Sequence, residues 1–173
     1  AVANRFDSAE VIFIKRILQK GLPKPVRQEF VDKLFKQYVS EDEGSFSREL
    51  YMTDDQLKCM ARNGMYVGSH GFSHEWLDTL SREDQIEEID LSLRFLASIG
   101  GNTNDWVMSY PYGAYNDSLV EVLRQKGCKA AFTTEQRLVT LDKDNRLILP
   151  RIDTNDLPKE RQAEKNNLTD LAM

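Results

Sequence analysis

The stretch Ser81-Arg82-Glu83-Asp84-Gln85-Ile86-Glu87-Glu88-Ile89, running on through Leu93 and Leu96 to Gly100 and then into Trp106-Val107-Met108-Ser109, decides the fold. Ser81 with Asp84 reads as a helix N-cap, Ile86, Ile89, Leu93 and Leu96 recur at helical spacing, and Gly100 supplies the stop. Residues 106–109 then read as a strand. A capped amphipathic helix feeding a short strand is half of a βαβ unit, and the rhythm continues on both sides. Upstream, Thr53 with Gln56 caps a helix through Leu57 and Met60 that stops at Gly64, and residues 65–69 are expected to form a strand. Downstream, Asn116 caps a helix ending at Gly127, residues 129–132 make another strand, and residues 139–141 and 147–152 read as a pair around the turn Asp142-Lys143-Asp144-Asn145. Capped helices alternating with short strands predict an α/β fold around a mostly parallel sheet.

Farther out, residues 8–21 read as a helix with Val11, Ile14 and Leu18 on one face, and Pro25 opens a second whose stripe is Val26, Phe30, Leu34 and Tyr38. The acidic stretch Glu41-Asp42-Glu43-Gly44 is expected to end it, which makes residues 8–40 a helical hairpin. Residues 157–173 form a polar tail. With 173 residues, 40% hydrophobic and 29% charged, the chain fits one domain spanning 1–173. A net charge of -5 leaves no broad basic surface, so nucleic acid is not an expected partner. The longest apolar runs, such as Val11-Ile12-Phe13-Ile14, fall far short of the ~20 residues of a membrane helix, and no transmembrane segment is expected. Cys59 and Cys128 lack metal-site spacing and read as buried small apolar groups, and the compartment is left open.

The two histidines stand four apart in Ser69-His70-Gly71-Phe72-Ser73-His74, directly after the expected strand 65–69. At that spacing two imidazoles can point the same way and ligate zinc or a related ion, or they can be loop residues bonded to backbone. Parallel α/β sheets collect ligands at the carboxyl ends of their strands, which is where this pair falls. Two further strand ends supply Tyr110-Pro111-Tyr112-Gly113 and Arg151-Ile152-Asp153-Thr154-Asn155-Asp156. Each reads either as turn chemistry or as part of the same site: backbone N–H groups for an oxyanion, an aromatic wall for a sugar, and Asp153 or Asp156 tuning or completing the centre. Trp76, two positions after His74, is a core or rim residue within reach of the same cleft. The run from Arg82-Glu83-Asp84 to Glu87-Glu88 reads as a solvated helix face.

Together, Ser69-His70-Gly71-Phe72-Ser73-His74 and Ser109-Tyr110-Pro111-Tyr112-Gly113-Ala114-Tyr115-Asn116 resemble the second and third motifs of the polysaccharide deacetylase family, the NodB-homology domain of the family-4 carbohydrate esterases. The resemblance covers about residues 50 to 156, and Leu149-Pro150-Arg151-Ile152-Asp153 is more loosely similar to the region of the fourth motif. It implies a metal-dependent hydrolase on a distorted (β/α)7 barrel that removes N- or O-acetyl groups from a carbohydrate substrate. It further implies His70 and His74 as ligands of a divalent metal, usually zinc, and the backbone N–H of Tyr112 as an oxyanion donor.

The family's first motif, an Asp-Asp pair, has no counterpart upstream of His70. Asp54-Asp55 and the single acid of Arg5-Phe6-Asp7-Ser8 read as helix-opening residues instead. The third motif's Arg is Ser109 here, with Arg151 at a neighbouring strand end as the substitute cation, and no histidine follows His74. A barrel of this kind commonly needs ~200 to 250 residues, so the sequence reads as a partial or truncated barrel carrying the hairpin as an excursion, weakly active or inactive as it stands. Its open sheet edge would leave Met65, Val67 or Trp106 exposed and favour a homo-oligomer. A second reading keeps the scaffold as a catalytically degenerate module that binds carbohydrate or protein.

Overall fold

The structure is a computed structural model that describes residues 2–3, 6–140 and 142–157. Arg5, Leu141 and the polar tail beyond Leu157, all invoked above, lie outside the described residues. Contacts divide the chain into two compact units, Ala1–Gln56 and Leu57–Met173.

The first unit is helical. Helix α1 (Ala9–Arg16) is capped by Ser8, whose side chain accepts from the Val11 N–H, and runs into a π-helical turn, Ile17–Gly21. Helix α2 (Lys24–Tyr38) carries Pro25 in its first turn, where a missing N–H costs nothing. Helix α2 ends at Tyr38, ahead of the acidic stretch expected to end it, and that stretch also starts α3 (Glu43–Leu50), because the Asp42 carboxylate accepts from the Ser45 N–H at 2.9 Å and satisfies one of the orphan donors of a helix start. Helix α4 (Asp54–Arg62), which begins in the first unit and continues into the second, opens with the expected capping box: Gln56 accepts from the Thr53 N–H at 2.8 Å and Thr53 accepts from the Gln56 N–H at 3.3 Å. Asp54 and Asp55 sit in its first turn. Among the described residues, α1 to α4 bury no side chain.

The second unit is α/β and holds the core. Strands β1 (Val107–Ser109) and β2 (Ala130–Phe132) pair in parallel with Met108 opposite Ala131. Single parallel bridges extend the sheet on each side, Ser69 to Met108 and Phe132 to Leu149. Helix α5 (Arg82–Ser98) connects the segment at Ser69 to β1, and α6 (Asp117–Gln125) connects β1 to β2; the two helices pack on each other. This is the βαβ alternation that the capped helices predicted. Both caps form as expected, with Ser81 accepting from the Asp84 N–H at 3.1 Å and Asn116 from the Leu119 N–H at 2.9 Å.

Three local readings differ. Among the described residues, Ser69 alone of 65–69 is paired, its N–H donating to the Val107 carbonyl at 2.9 Å, so these residues do not form the expected strand. Leu149 pairs with Phe132 in parallel and not with residues 139–140 as a hairpin. The intervening loop is closed instead by Asp144, which accepts from both Arg137 Nη atoms at 2.7 Å and from the Thr140 N–H at 2.6 Å. Cys59 is exposed, because the apolar side of α4 carries no buried residue, while Cys128 is buried and its thiol is pushed up to about 11 by that burial.

The core gathers Leu77, Ile89, Trp106, Met108, Tyr110, Leu119, Leu123 and Ala131. Trp106, a core or rim residue that an open sheet edge would have exposed, is fully buried, with its indole N–H donating to the Lys126 carbonyl at 3.0 Å. Tyr110 is buried too and donates its hydroxyl to the Leu147 carbonyl at 2.6 Å.

Candidate metal centre

Both histidines belong to the loop that leaves the sheet at Ser69, and the loop is shaped by backbone found in few residues. Gly71 sits at φ +75 and His74 at φ +54. Glycine reaches that region freely, whereas a histidine there costs on the order of 1 kcal/mol and persists only if its surroundings hold it. The result is that the His70 and His74 rings lie 4.9 Å apart between centroids, tilted at 59°.

The His70 ring is oriented by β1, its Nδ1 lying 2.6 Å from the Ser109 carbonyl oxygen. A carbonyl can only accept, so Nδ1 carries the hydrogen, and in the neutral ring Nε2 is then the atom with a lone pair to offer. Tethering one ring nitrogen so that the other is presented is how proteins prepare an imidazole ligand. Burial first, and the neighbouring His70 second, hold His74 below the ordinary imidazole value of 6.5, which favours its neutral, ligating form. Two imidazoles on one tetrahedral ion, with N–metal bonds of about 2.0 to 2.1 Å, place their ring centres about 5 Å apart. The observed pair fits that separation. Among the described residues no group of three or more His, Cys, Asp or Glu side chains converges to complete an all-protein set.

The turn after β1 faces this pair. Pro111–Gly113 forms a single 3₁₀ turn with Tyr112 in left-handed conformation, φ 59 and ψ 7. The Tyr112 ring meets His74 edge-on at 4.8 Å and stacks on Trp76 at 4.6 Å and 7°. Gly113, at φ +70, lets this turn approach the segment after β2: a Cβ there would stand 2.2 Å from Thr134 Oγ1. The structure therefore brings together His70, His74, Tyr112 and Trp76.

Arg151 lies on the other flank of His70. Its guanidinium donates to Ser109 Oγ at 3.4 Å, and it lines with His70, Ser109 and Phe132 a cleft of about 450 Å³. Asp153 shares with Arg151 a second recess of about 300 Å³. Its Oδ1 also accepts from the Asn155 N–H at 2.8 Å, capping the 3₁₀ turn Thr154–Asp156.

One residue of the site went unread in the sequence. Glu88, expected on a solvated face, is buried on the inner side of α5, where its Oε2 accepts from the Phe72 and Ser73 N–H groups at 3.0 and 2.9 Å and its Oε1 accepts from the Ser73 hydroxyl at 2.6 Å. Gln85 and Ser92 share that inner face, and Ser92 Oγ lies 2.7 Å from Ser69 Oγ. The signal was present as three polar residues, 85, 88 and 92, in phase with Ile89 and Leu96.

A profile described as polysaccharide deacetylase matches residues 31–131, more than half of the chain. The matched span takes in His70, His74, Glu88 and Tyr112 and stops short of Arg151 and Asp153. The chain is 26% identical over 98 residues to the putative polysaccharide deacetylase YxkH of Bacillus subtilis, which covers 57% of this chain and 35% of that protein. It is 32% identical over 76 residues to chitin deacetylase 2 of Saccharomyces cerevisiae, 44% of this chain and 24% of that protein. The chain thus spans about a third or less of the curated relatives it matches. Among solved structures, the deacetylase PplD of Streptococcus pyogenes, determined in complex with acetate, superposes with a TM-score of 0.55 at 27% identity, covering 62% of this chain and 47% of that one.

Proposed function

Because the chain belongs to the polysaccharide deacetylase family, we propose that it takes part in hydrolysing acetyl groups from a carbohydrate polymer, with His70 and His74 as two ligands of a divalent metal ion, zinc in the first instance. The observation that carries this reading is the pair of imidazoles with centroids 4.9 Å apart, one of them tethered through Nδ1 to the Ser109 carbonyl. An ion bound there would act as a Lewis acid toward the acetyl carbonyl and the attacking water.

The chain's own groups take the remaining roles. The Tyr112 N–H, in a left-handed turn whose ring touches His74, is the donor for oxyanion charge developing on the acetyl oxygen. The stacked Tyr112 and Trp76 rings form a wall against which a pyranose can pack. Arg151, donating to Ser109 Oγ beside His70, is the cation that orients the site, and Asp153 in the adjoining recess tunes it. The parallel sheet and its two crossover helices are read as part of a (β/α)7 barrel, a reading supported by the likeness to the Streptococcus pyogenes deacetylase.

The test is acetate release from N-acetylglucosamine oligomers and, separately, from an O-acetylated polysaccharide, with zinc or cobalt added and with a chelator. Release by the wild type that vanishes with chelator and in His70→Ala supports the proposal, and the substrate that responds says which linkage is cut. Release unaffected by chelator, or identical in His70→Ala, overturns the metal assignment. Oligosaccharide binding without any release replaces hydrolysis by a binding role.

A further inference from the structure

We propose that Glu88, on the inner face of α5, is the positioning residue of the histidine loop: its carboxylate sets the distance and mutual tilt of His70 and His74 without touching either ring. The inference rests on the reading of those histidines as a metal pair and adds the part that holds them.

Phe72 and Ser73 lie between the two histidines, and their successive N–H groups both donate to Glu88 Oε2, at 3.0 and 2.9 Å. Two adjacent amides aimed at one oxygen fix the 71–72 and 72–73 peptide planes, the middle two of the four that separate the histidines. The Ser73 hydroxyl donates to the other oxygen at 2.6 Å, which stops the carboxylate from rotating. Just before the clamp, Gly71 turns at φ +75, with its missing Cβ position 3.8 Å from Glu88 Oε2. Just after it, His74 is held at φ +54. A histidine in that conformation reverts to ordinary backbone unless something over-determines the loop, and these three hydrogen bonds do so.

The clamp is costly to open on either side. Glu88 is only 7% exposed, so releasing the loop would strand a carboxylate and leave two amides to find other partners. The carboxylate also rides on a rigid support, since it projects from a 17-residue helix whose neighbouring inner positions Ile89 and Leu96 lie in the core and on which Ser92 grips Ser69 at the loop's start. A side chain that orients ligands from such a position typically changes metal affinity about 10- to 100-fold when it is removed.

The experiment compares wild type, Glu88→Gln, Glu88→Ala and Leu123→Ala, the last a core truncation on α6 that serves as a stability control. Cobalt(II) affinity is read from its absorption spectrum, and amide exchange at Phe72 and Ser73 with the His74–Tyr112 ring contact is read by NMR without metal. Expected is a loss of about 10- to 100-fold in cobalt affinity for Glu88→Ala, a smaller loss for the isosteric Glu88→Gln, and an unchanged affinity for Leu123→Ala despite a lower Tm. Wild-type affinity in Glu88→Ala, or an equal loss in Leu123→Ala, overturns the proposal. If the wild type binds no cobalt, the metal reading fails by itself and the metal-free arm decides this one. Faster exchange at Phe72 and Ser73 with a lost His74–Tyr112 contact in both Glu88 variants, but not in Leu123→Ala, upholds the clamp, and unchanged exchange overturns it.

Discussion

His74 concentrates the chemistry of the site in one residue: positive φ, an aromatic neighbour, and a ring held below its ordinary value by burial and by His70. The sign of its pH effect follows. As pH falls below 6.5 the unfolded chain takes up the proton before the folded one does, so the stability this group contributes is present above 6.5 and is lost as pH falls through the folded value. Replacing His74 by Gln should therefore flatten the dependence of urea-unfolding midpoints on pH below 6.5, and an unchanged slope would contradict the assignment. Asp144 offers a second residue-scale case. Hydrogen bonds from Arg137 and the Thr140 N–H hold its carboxyl at about 2 against an ordinary 3.8, so its contribution is present above 3.8 and disappears as pH falls through about 2. Asp144→Asn should lower the Tm at pH 7 and leave it nearly unchanged below pH 2, as measured by thermal melts. These are charge effects on named atoms, and the sequence could locate the residues but not the partners that shift them.

Among the elements, the caps and turns carry the predictions. Ser81 and Asn116 are both N-caps, yet Asn116 also accepts from Gln85 Nε2 at 3.2 Å and donates to the Asp78 carbonyl at 3.1 Å. Truncating a plain cap costs about 1 kcal/mol, so Ser81→Ala should fall near that figure in chemical denaturation and Asn116→Ala clearly above it. The Pro111–Gly113 turn is tighter still. Gly113→Ala forces a left-handed alanine, about 1 to 2 kcal/mol by itself, against Thr134. The loss should exceed that range, and adding Thr134→Ala should recover part of it, since two of the three contacts involve atoms that alanine lacks. No recovery would mean that the turn tolerates the alanine by moving away from Thr134. The capping boxes were legible because they are written within four residues of one another, and so was the stop at Gly100. The strand at 65–69 and the hairpin at 139–152 were misread because pairing partners lie far away in sequence: Ser69 finds Met108, and Leu149 finds Phe132.

At the scale of the molecule, burial is concentrated in Leu57–Met173, whereas the described helices α1 to α3 of the other unit bury nothing. Amides protected only by local helix bonds open with small free energies, whereas core strands and helices open with the global one. Hydrogen exchange should therefore be slowest in β1, β2, α5 and α6 and much faster throughout α1 to α3; equal protection in both units would show that the first is stabilised by contacts beyond its own helices. The expectation of self-association loses one of its supports, because Trp106 is 0% exposed, although Met65 remains 57% exposed. Among the described residues no helix is long and apolar enough to cross a membrane.

The sequence by itself determined the α/β alternation, the capped helices α4, α5 and α6, and the family, through His70-Gly71-Phe72-Ser73-His74 and Tyr110-Pro111-Tyr112-Gly113. These are local signals, fixed by spacing along one segment. Only the tertiary structure decided that the two imidazoles stand 4.9 Å apart, that Tyr112 leans on His74, and that Glu88 turns inward to grip the loop. Each depends on which side of α5 faces the sheet, and Glu83, Glu87 and Glu88 are the same residue type until packing gives one of them backbone amides in place of water.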